Sequence, residues 1–353
     1  MSWSLRQDMP RLRKAVDSAP SIFSQRPWQL IAVADDRVEL YSVPDPSLAR
    51  QLPREAVISC GAALYNLKLA IRVAGRHPSV WLLPDTDPES GLLATVGGQR
   101  TLLASVEVMG GRAAPPTDAE QELYEALWLR RTDRSPYTSL PVPFPILVEM
   151  EVAARNEDGW LRILTRRESR RMRRAAIQAS TELGAALSGL NHVPGGAYGP
   201  APEDTREPAT RPDLWLPGQS ARFERHPRLM TLSTDDDRPL DWLRAGQALQ
   251  AALLAGTRFS MSAPTGRSAG YKRQLQYGPL DPHLLRPRPA VPAGYAVEAS
   301  FLTQSLELAD LRHQPRAWPW RTNYTEIPQV VMRVGYAPTE RVIPPAPLVK
   351  AAS

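Results

Sequence analysis

The chain has 353 residues, 42% hydrophobic and 23% charged, which allows two domains or one large one with a substantial core. No uninterrupted apolar run approaches the roughly 18 residues of a membrane span. The N-terminal residues lack a signal-peptide apolar stretch, and the single cysteine, Cys60, excludes an internal disulfide, so a cytoplasmic protein is expected.

The net charge is +6, but 43 − 4 = 39 of the basic residues are arginine and 36 residues are proline. That bias removes bulk basicity as an argument for nucleic acid. In chain order, 8–18 read as a short helix. Two apolar runs around Asp35 and Asp36 read as a β-hairpin. Residues 54–75 read as a long apolar helix closed by glycine, followed by a short buried strand, "SVWLLP". The second half repeats the order. "DAEQELYEALWLRR" is an amphipathic helix with Asp118 as N-cap. "PILVEMEVAARNEDGWLRILTR" reads as strand, turn at 156–159, strand. A further helix follows ("ESRRMRRAAIQASTELGAALSGL"), then a strand, "RLMTLST". A long apolar helix, "PLDWLRAGQALQAALLAGTRF", and a last strand, "QVVMRVGY", complete the pattern.

The two long apolar helices share G-x-A-L-x4-L-A. Gly61, Ala63, Leu64, Leu69 and Ala70 match Gly246, Ala248, Leu249, Leu254 and Ala255 at an offset of 246 − 61 = 185 residues. With the repeated element order, this points to an internal duplication. Residues 191–227 are rich in Gly and Pro and lack periodicity. Trp215, Leu216 and Phe223 give the segment something to bury, so it reads as a lid. A second such stretch covers 278–295.

Arg130, Arg131, Thr132 and Arg134 stand where a helix ends. They suit a phosphate grip through charge-assisted hydrogen bonds, or a solvated helix end whose cations complement the C-terminal dipole. "APSIFSQRPW", 19–28, offers Ser21, Ser24, Gln25 and Arg26 as donors, or is a turn before a core tryptophan. The run at 165–174, "TRRESRRMRR", has no interleaved aromatic for base stacking and reads as a solvated helix face. The five histidines show no ligand spacing, so no metal is expected. Cys60 reads as a buried structural thiol.

Together, "APSIFSQRPW", "PREAVISCGAALYNLKLAIRVAG", "RRTDRSPY", "FERHPRLMTLSTDDDRPLDWLRAGQALQAALLAGT" and "PQVVMRVGYAPTER" resemble the nitroreductase superfamily of flavin proteins. They resemble most its Acg-like branch, in which two nitroreductase units are fused. The stretches fall in the family's order along nearly the whole chain. The resemblance implies an α+β, nitroreductase-like fold: two fused units, 1–112 and 113–353, forming an intramolecular pseudo-dimer around one FMN. It implies that Arg130, Arg131, Thr132 and Arg134 hold the FMN phosphate. Pro20, Ser21, Ser24 and Arg26, from the first unit, would lie over the flavin. Thr265 and Gly266 would approach flavin N5, and Arg341 would help hold the phosphate. Two features depart from the family pattern. Its loop asparagine and glutamine are Ser24 and Arg26 here, and its C-terminal Arg-Arg-Pro reads "ERVIPPAPL".

The implied activity is FMN-dependent oxidoreduction of a small molecule through flavin N5, with NAD(P)H as a possible partner. The alternative is a non-catalytic FMN storage or sequestration protein whose lid occludes the flavin. Nucleic-acid binding through 165–174 ranks third. No residue is singled out as catalytic. Neither nucleic acid nor membrane is an expected partner, and either a monomeric pseudo-dimer or a homodimer is expected.

Overall fold

A computed structural model describes residues 5–21, 26–43, 54–85, 95–96, 100–109, 114–132, 137–138, 140–170, 228–259, 295–301 and 326–338. The helices are α1 (Leu5–Asp17), α2 (Arg54–Val73), α3 (Asp118–Leu129), α4 (Phe144–Arg155) and α5 (Pro239–Thr257). The strands are β1 (Trp28–Ala32), β2 (Arg37–Ser42), β3 (His77–Leu82), β4 (Thr95–Val96), β5 (Arg100–Met109), β6 (Trp160–Ile163), β7 (Arg228–Thr234), β8 (Tyr295–Phe301) and β9 (Ile327–Pro338). The class is α+β, as expected.

The strands form two antiparallel sheets, β1-β2-β5-β3 (with β4 on β5) and β6-β7-β9-β8. In each, the first two strands in sequence pair directly. A long helix then intervenes, and the last strand inserts between the second and the third. Both second strands carry a register shift two residues before their end, at Leu40/Tyr41 in β2 and at Leu232/Ser233 in β7. A tryptophan opens β1 and β6 alike.

Each sheet has its own core cluster. One gathers α1, α2, α3 and the first sheet, and the other gathers α4, α5 and the second sheet. The two meet where α2 and α5 pack on each other, more extensively than any other pair of elements. Ile58 of α2 belongs to the second cluster, and Leu243 and Leu254 of α5 belong to the first. The packing is close because two glycines face each other. A Cβ on Gly61 would lie 2.1 Å from the Leu243 carbonyl oxygen, and one on Gly246 would lie 1.9 Å from that of Ile58. The contact is reciprocal in the manner of a two-fold axis: 243 − 58 and 246 − 61 both equal 185.

α2 is apolar nearly all round because it is covered nearly all round. By length and hydropathy it is the one described helix that would span a membrane, but 72% of its apolar window is buried inside the protein. It ends at Gly75, whose φ of +73° suits glycine. There Gly75 N–H donates to Arg72 O (2.9 Å) and Arg76 N–H to Ile71 O (3.2 Å).

Three sequence expectations change. Residues 144–155 are helical, not a strand. Ile146, Leu147, Met150 and Ala154 are buried at helical spacing, and Pro145 suits a first turn. The N-cap of α3 is Thr117, not Asp118. Its hydroxyl accepts from Glu120 N–H, and the Glu120 carboxylate accepts from Thr117 N–H at 2.7 Å, a capping box. β4, β5 and β8 add strands that the sequence reading lacked, and β8 begins at the end of the stretch read as a loop, 278–295.

Candidate functional site

The site is built where α3 ends beside the turn between α1 and β1. α3 is held on α2 by Ala126 and Leu127 in the core and by an ion pair from Arg72 Nε to Glu120 (2.8 Å). Burial pushes the Glu120 carboxyl up. The Arg72 guanidinium and the Thr117 hydrogen bonds more than offset this, so its pKa lies below the ordinary value.

Arg130 caps α3, its N–H donating to Ala126 O at 2.9 Å. Its side chain does not simply enter solvent. Nη1 donates to Thr132 Oγ1 (3.2 Å) and Nη2 to the Ser18 carbonyl (3.3 Å), so the half-buried guanidinium joins the arginine run to the turn after α1. Arg131 and Thr132 are exposed. The structure therefore brings Arg130 and Thr132 together and sets them against the start of the 19–28 stretch.

Ser18 is fixed from below. Asn66 Nδ2 donates to Ala15 O (2.8 Å) and Ser18 Oγ (3.1 Å), and Gln250 Nε2 donates to Asn66 Oδ1 (2.7 Å). Asn66 and Gln250 are fully buried, so these bonds are shielded from competing water. They form a relay from α5 through α2 to the carbonyl that receives Arg130.

The 19–28 stretch is pinned at its far end. Pro20 is buried and Ser21 half-buried. Arg26, exposed, adopts φ 45°, a left-handed conformation uncommon for a side chain of this kind. Its N–H donates to Ser21 Oγ (3.3 Å), and its carbonyl accepts from Trp28 N–H (2.8 Å). The Pro27 carbonyl accepts from Cys60 Sγ at 3.2 Å. Burial pushes the Cys60 thiol up to about 12, which fits the inert thiol expected.

A second polar junction ties α2 to the second sheet. Arg54 Nε donates to Gln329 Oε1 (3.0 Å) and Nη2 to Gln329 O (2.6 Å), while Asp237 accepts from Trp242 Nε1 at 2.6 Å and lies 3.6 Å from Arg54 Nε.

Ser24, Arg134, Thr265, Gly266, Arg341, the 191–227 segment and residues 171–174 lie outside the described residues. At the start of the basic run, Thr165 and Glu168 form a reciprocal cap, and Arg166, Arg167 and Arg170 are exposed, as a solvated face requires. Among the described residues no group of three metal-ligating side chains occurs. Sequence reasoning missed Ser18, Asn66 and Gln250. The available signal was the amides Asn66 and Gln250 within two largely apolar helices.

No protein-family model matches the chain. It is 27% identical over 348 residues to the Mycobacterium tuberculosis (strain H37Rv) protein named "Putative NAD(P)H nitroreductase Rv3131", covering 93% of this chain and 85% of that one. It is 27% identical over 268 residues to "Putative NAD(P)H nitroreductase acg" of the same strain, covering 70% and 76%. A solved structure, a "putative nitroreductase from anabaena variabilis", aligns with TM-score 0.43 at 11% identity over 90% of this chain and 82% of that one. The resemblance to Acg-like nitroreductases, expected from the motifs, thus runs along nearly the whole chain.

Proposed function

We propose that this relative of the Acg-type nitroreductases is an FMN-dependent oxidoreductase acting on a small molecule, with its two units, 1–112 and 113–353, joined as an intramolecular pseudo-dimer. The observation that carries the reading is Arg130, whose guanidinium spans from the Thr132 hydroxyl to the Ser18 carbonyl, joining the arginine run to the turn after α1. The matching sheet orders and the reciprocal Gly61–Gly246 contact support the pairing of two like units.

The donor set fits FMN. Guanidiniums and a hydroxyl at a helix-to-loop junction suit a terminal phosphate, and the 19–28 stretch begins at the same junction. Arg130, Arg131, Thr132 and Arg134 would hold the phosphate, with Arg341 as a further cation. Pro20, Ser21, Ser24 and Arg26 would cover the ring system, and Thr265 and Gly266 would supply backbone donors beside it. When bound, FMN supplies hydride transfer at N5, and the protein supplies position and electrostatics. The chain's own part is to anchor the phosphate, to orient the ring through a stretch pinned at Ser18 and Pro27, and to exclude water there. The relatives named for NAD(P)H make a nicotinamide the electron donor to test first. Because one chain supplies both units, the reading needs no second chain, no nucleic acid and no membrane, and it suits the cytoplasm.

The test is the visible spectrum of the apo-protein titrated with FMN, then treated anaerobically with NADPH. Saturable FMN binding followed by bleaching is expected. Failure to bind FMN overturns the reading. Bound FMN that dithionite reduces and NADPH leaves oxidised would replace catalysis by storage or sequestration.

A further inference from the structure

Strand β9 is buried on both faces. Val330, Met332, Val334 and Tyr336 join the core beneath α5, so Gln329, Val331, Arg333 and Gly335 occupy the opposite face. That face is polar, yet Gln329 and Arg333 are both fully buried. Arg54 covers Gln329. Tyr137 covers the other end, its ring centroid 4.1 Å from the Arg333 guanidinium carbon. A Cβ on Gly335 would come within 2.5 Å of Tyr137 Cδ2, so the ring sits where a side chain would otherwise stand. Glycine is a weak choice within a central strand unless something must approach closely, and here that something is Tyr137. The backbone adds a further tie, as Thr138 N–H donates to Tyr336 O at 2.9 Å.

Tyr137 stands five residues beyond Thr132 in the sequence. Arg130 is tied to Ser18, and Tyr137 and Thr138 are tied to β9. The geometry points to Tyr137 as the positioning residue of the phosphate grip. Its ring, seated on Gly335 and stacked on the buried Arg333, sets where Arg130 and Thr132 meet the anion. The inference rests on the phosphate reading above and deepens it.

The test separates positioning from packing by comparing FMN with riboflavin, which lacks the phosphate. Dissociation constants for both flavins are measured by quenching of flavin fluorescence on apo-protein. The proteins are wild type, Tyr137→Leu, Tyr137→Phe and Gly335→Ala, each checked for cooperative unfolding by circular dichroism. Tyr137→Leu and Gly335→Ala should each lose roughly tenfold in FMN affinity, about the loss of one charge-assisted hydrogen bond. Riboflavin affinity should hardly change, and Tyr137→Phe should keep the wild-type preference for FMN. Equal losses for both flavins, or no loss for either, would overturn the inference, and so would failure of both disruptive variants to fold. A wild type that binds riboflavin as tightly as FMN would instead remove the phosphate reading itself, whatever the variants do.

Discussion

Gly246→Ala tests the contact on which the two halves meet. The added Cβ would lie 1.9 Å from the Ile58 carbonyl oxygen and 2.8 Å from both Ile58 C and Gly61 Cα. All three are backbone atoms of α2, so no side chain can swing aside. Real Cβ contacts essentially never fall below 3.0 Å, so the helices must part by at least 3.0 − 1.9 = 1.1 Å. That separation would loosen the apolar contacts of Ile58 and Leu243 on either side of the crossing. Overpacking a rigid core costs about 1–3 kcal/mol, occasionally more, and two immovable backbones place this site at the upper end. A loss of about 3 kcal/mol should lower Tm by roughly 5 °C or more in a chain of this length. Gly256→Ala on the same helix is the control. There the nearest atom is Met150 Sδ at 3.2 Å, on a flexible side chain, and removing a helical glycine gains about 1 kcal/mol. Thermal unfolding by circular dichroism reads both. A Gly246→Ala protein that melts with or above Gly256→Ala would refute the close crossing.

Arg130→Ala should weaken FMN binding about ten- to a hundred-fold, from the loss of roughly 1.5–3 kcal/mol of charge-assisted bonding, whereas the exposed Arg170→Ala should leave the titration unchanged. The Cys60 thiol, pushed up to about 12 by burial, should resist a disulfide reagent in the native protein and react only as the chain unfolds. Glu120 has a folded pKa below its ordinary 4.5, so its stabilisation is complete above that value and is lost as pH falls through the folded one. Tm of Glu120→Gln should therefore trail wild type by about 1 kcal/mol equivalent near neutrality, and the gap should close in acid; a constant gap counts against the ion pair. Flavin absorbance per protein should saturate at one FMN per chain, and saturation at two would mean that both pseudo-equivalent junctions bind.

The long helices were the most legible part of the fold. Their small-residue spacing, G-x-A-L-x4-L-A, is itself the imprint of a close crossing, so the matched glycines are the ones that touch. α4 was misread because "PILVEMEV" is rich in β-branched residues that suit a strand. Tertiary burial of Ile146, Leu147, Met150 and Ala154 along one helical face outweighs that local preference. β5 hid in a run, "RTLLASVEVM", with no clear alternation, because a central strand covered on both faces has little reason to alternate. In the candidate site, the arginine run stood out through its composition, but its moorings did not. Ser18 acts through a backbone carbonyl, and Gly335 acts through the side chain it lacks. Neither leaves a pattern along the sequence, because each depends on a partner more than a hundred residues away.

The turns that lead from α1 into β1 and from α4 into β6 differ in length. After α1 the chain runs through 18–27 before Trp28 opens β1. After α4 it passes through only 156–159 before Trp160 opens β6. Each turn is fastened by side chains from both central helices. Gln250 of α5 and Asn66 of α2 hold the first turn at Ser18. Lys68 of α2 holds the second, donating to Glu157 (2.6 Å) and to Gln247 of α5 (3.1 Å). Beside the short turn, an ammonium and a carboxylate already answer each other, so their charges are spent within the protein. Beside the long turn the amides of Asn66 and Gln250 hold Ser18, Asp17 accepts from Trp28 Nε1 (3.1 Å), and Arg130 reaches the Thr132 hydroxyl and the Ser18 carbonyl. The proposed phosphate site thus falls beside the longer turn, and the shorter one is closed by the Lys68–Glu157 ion pair.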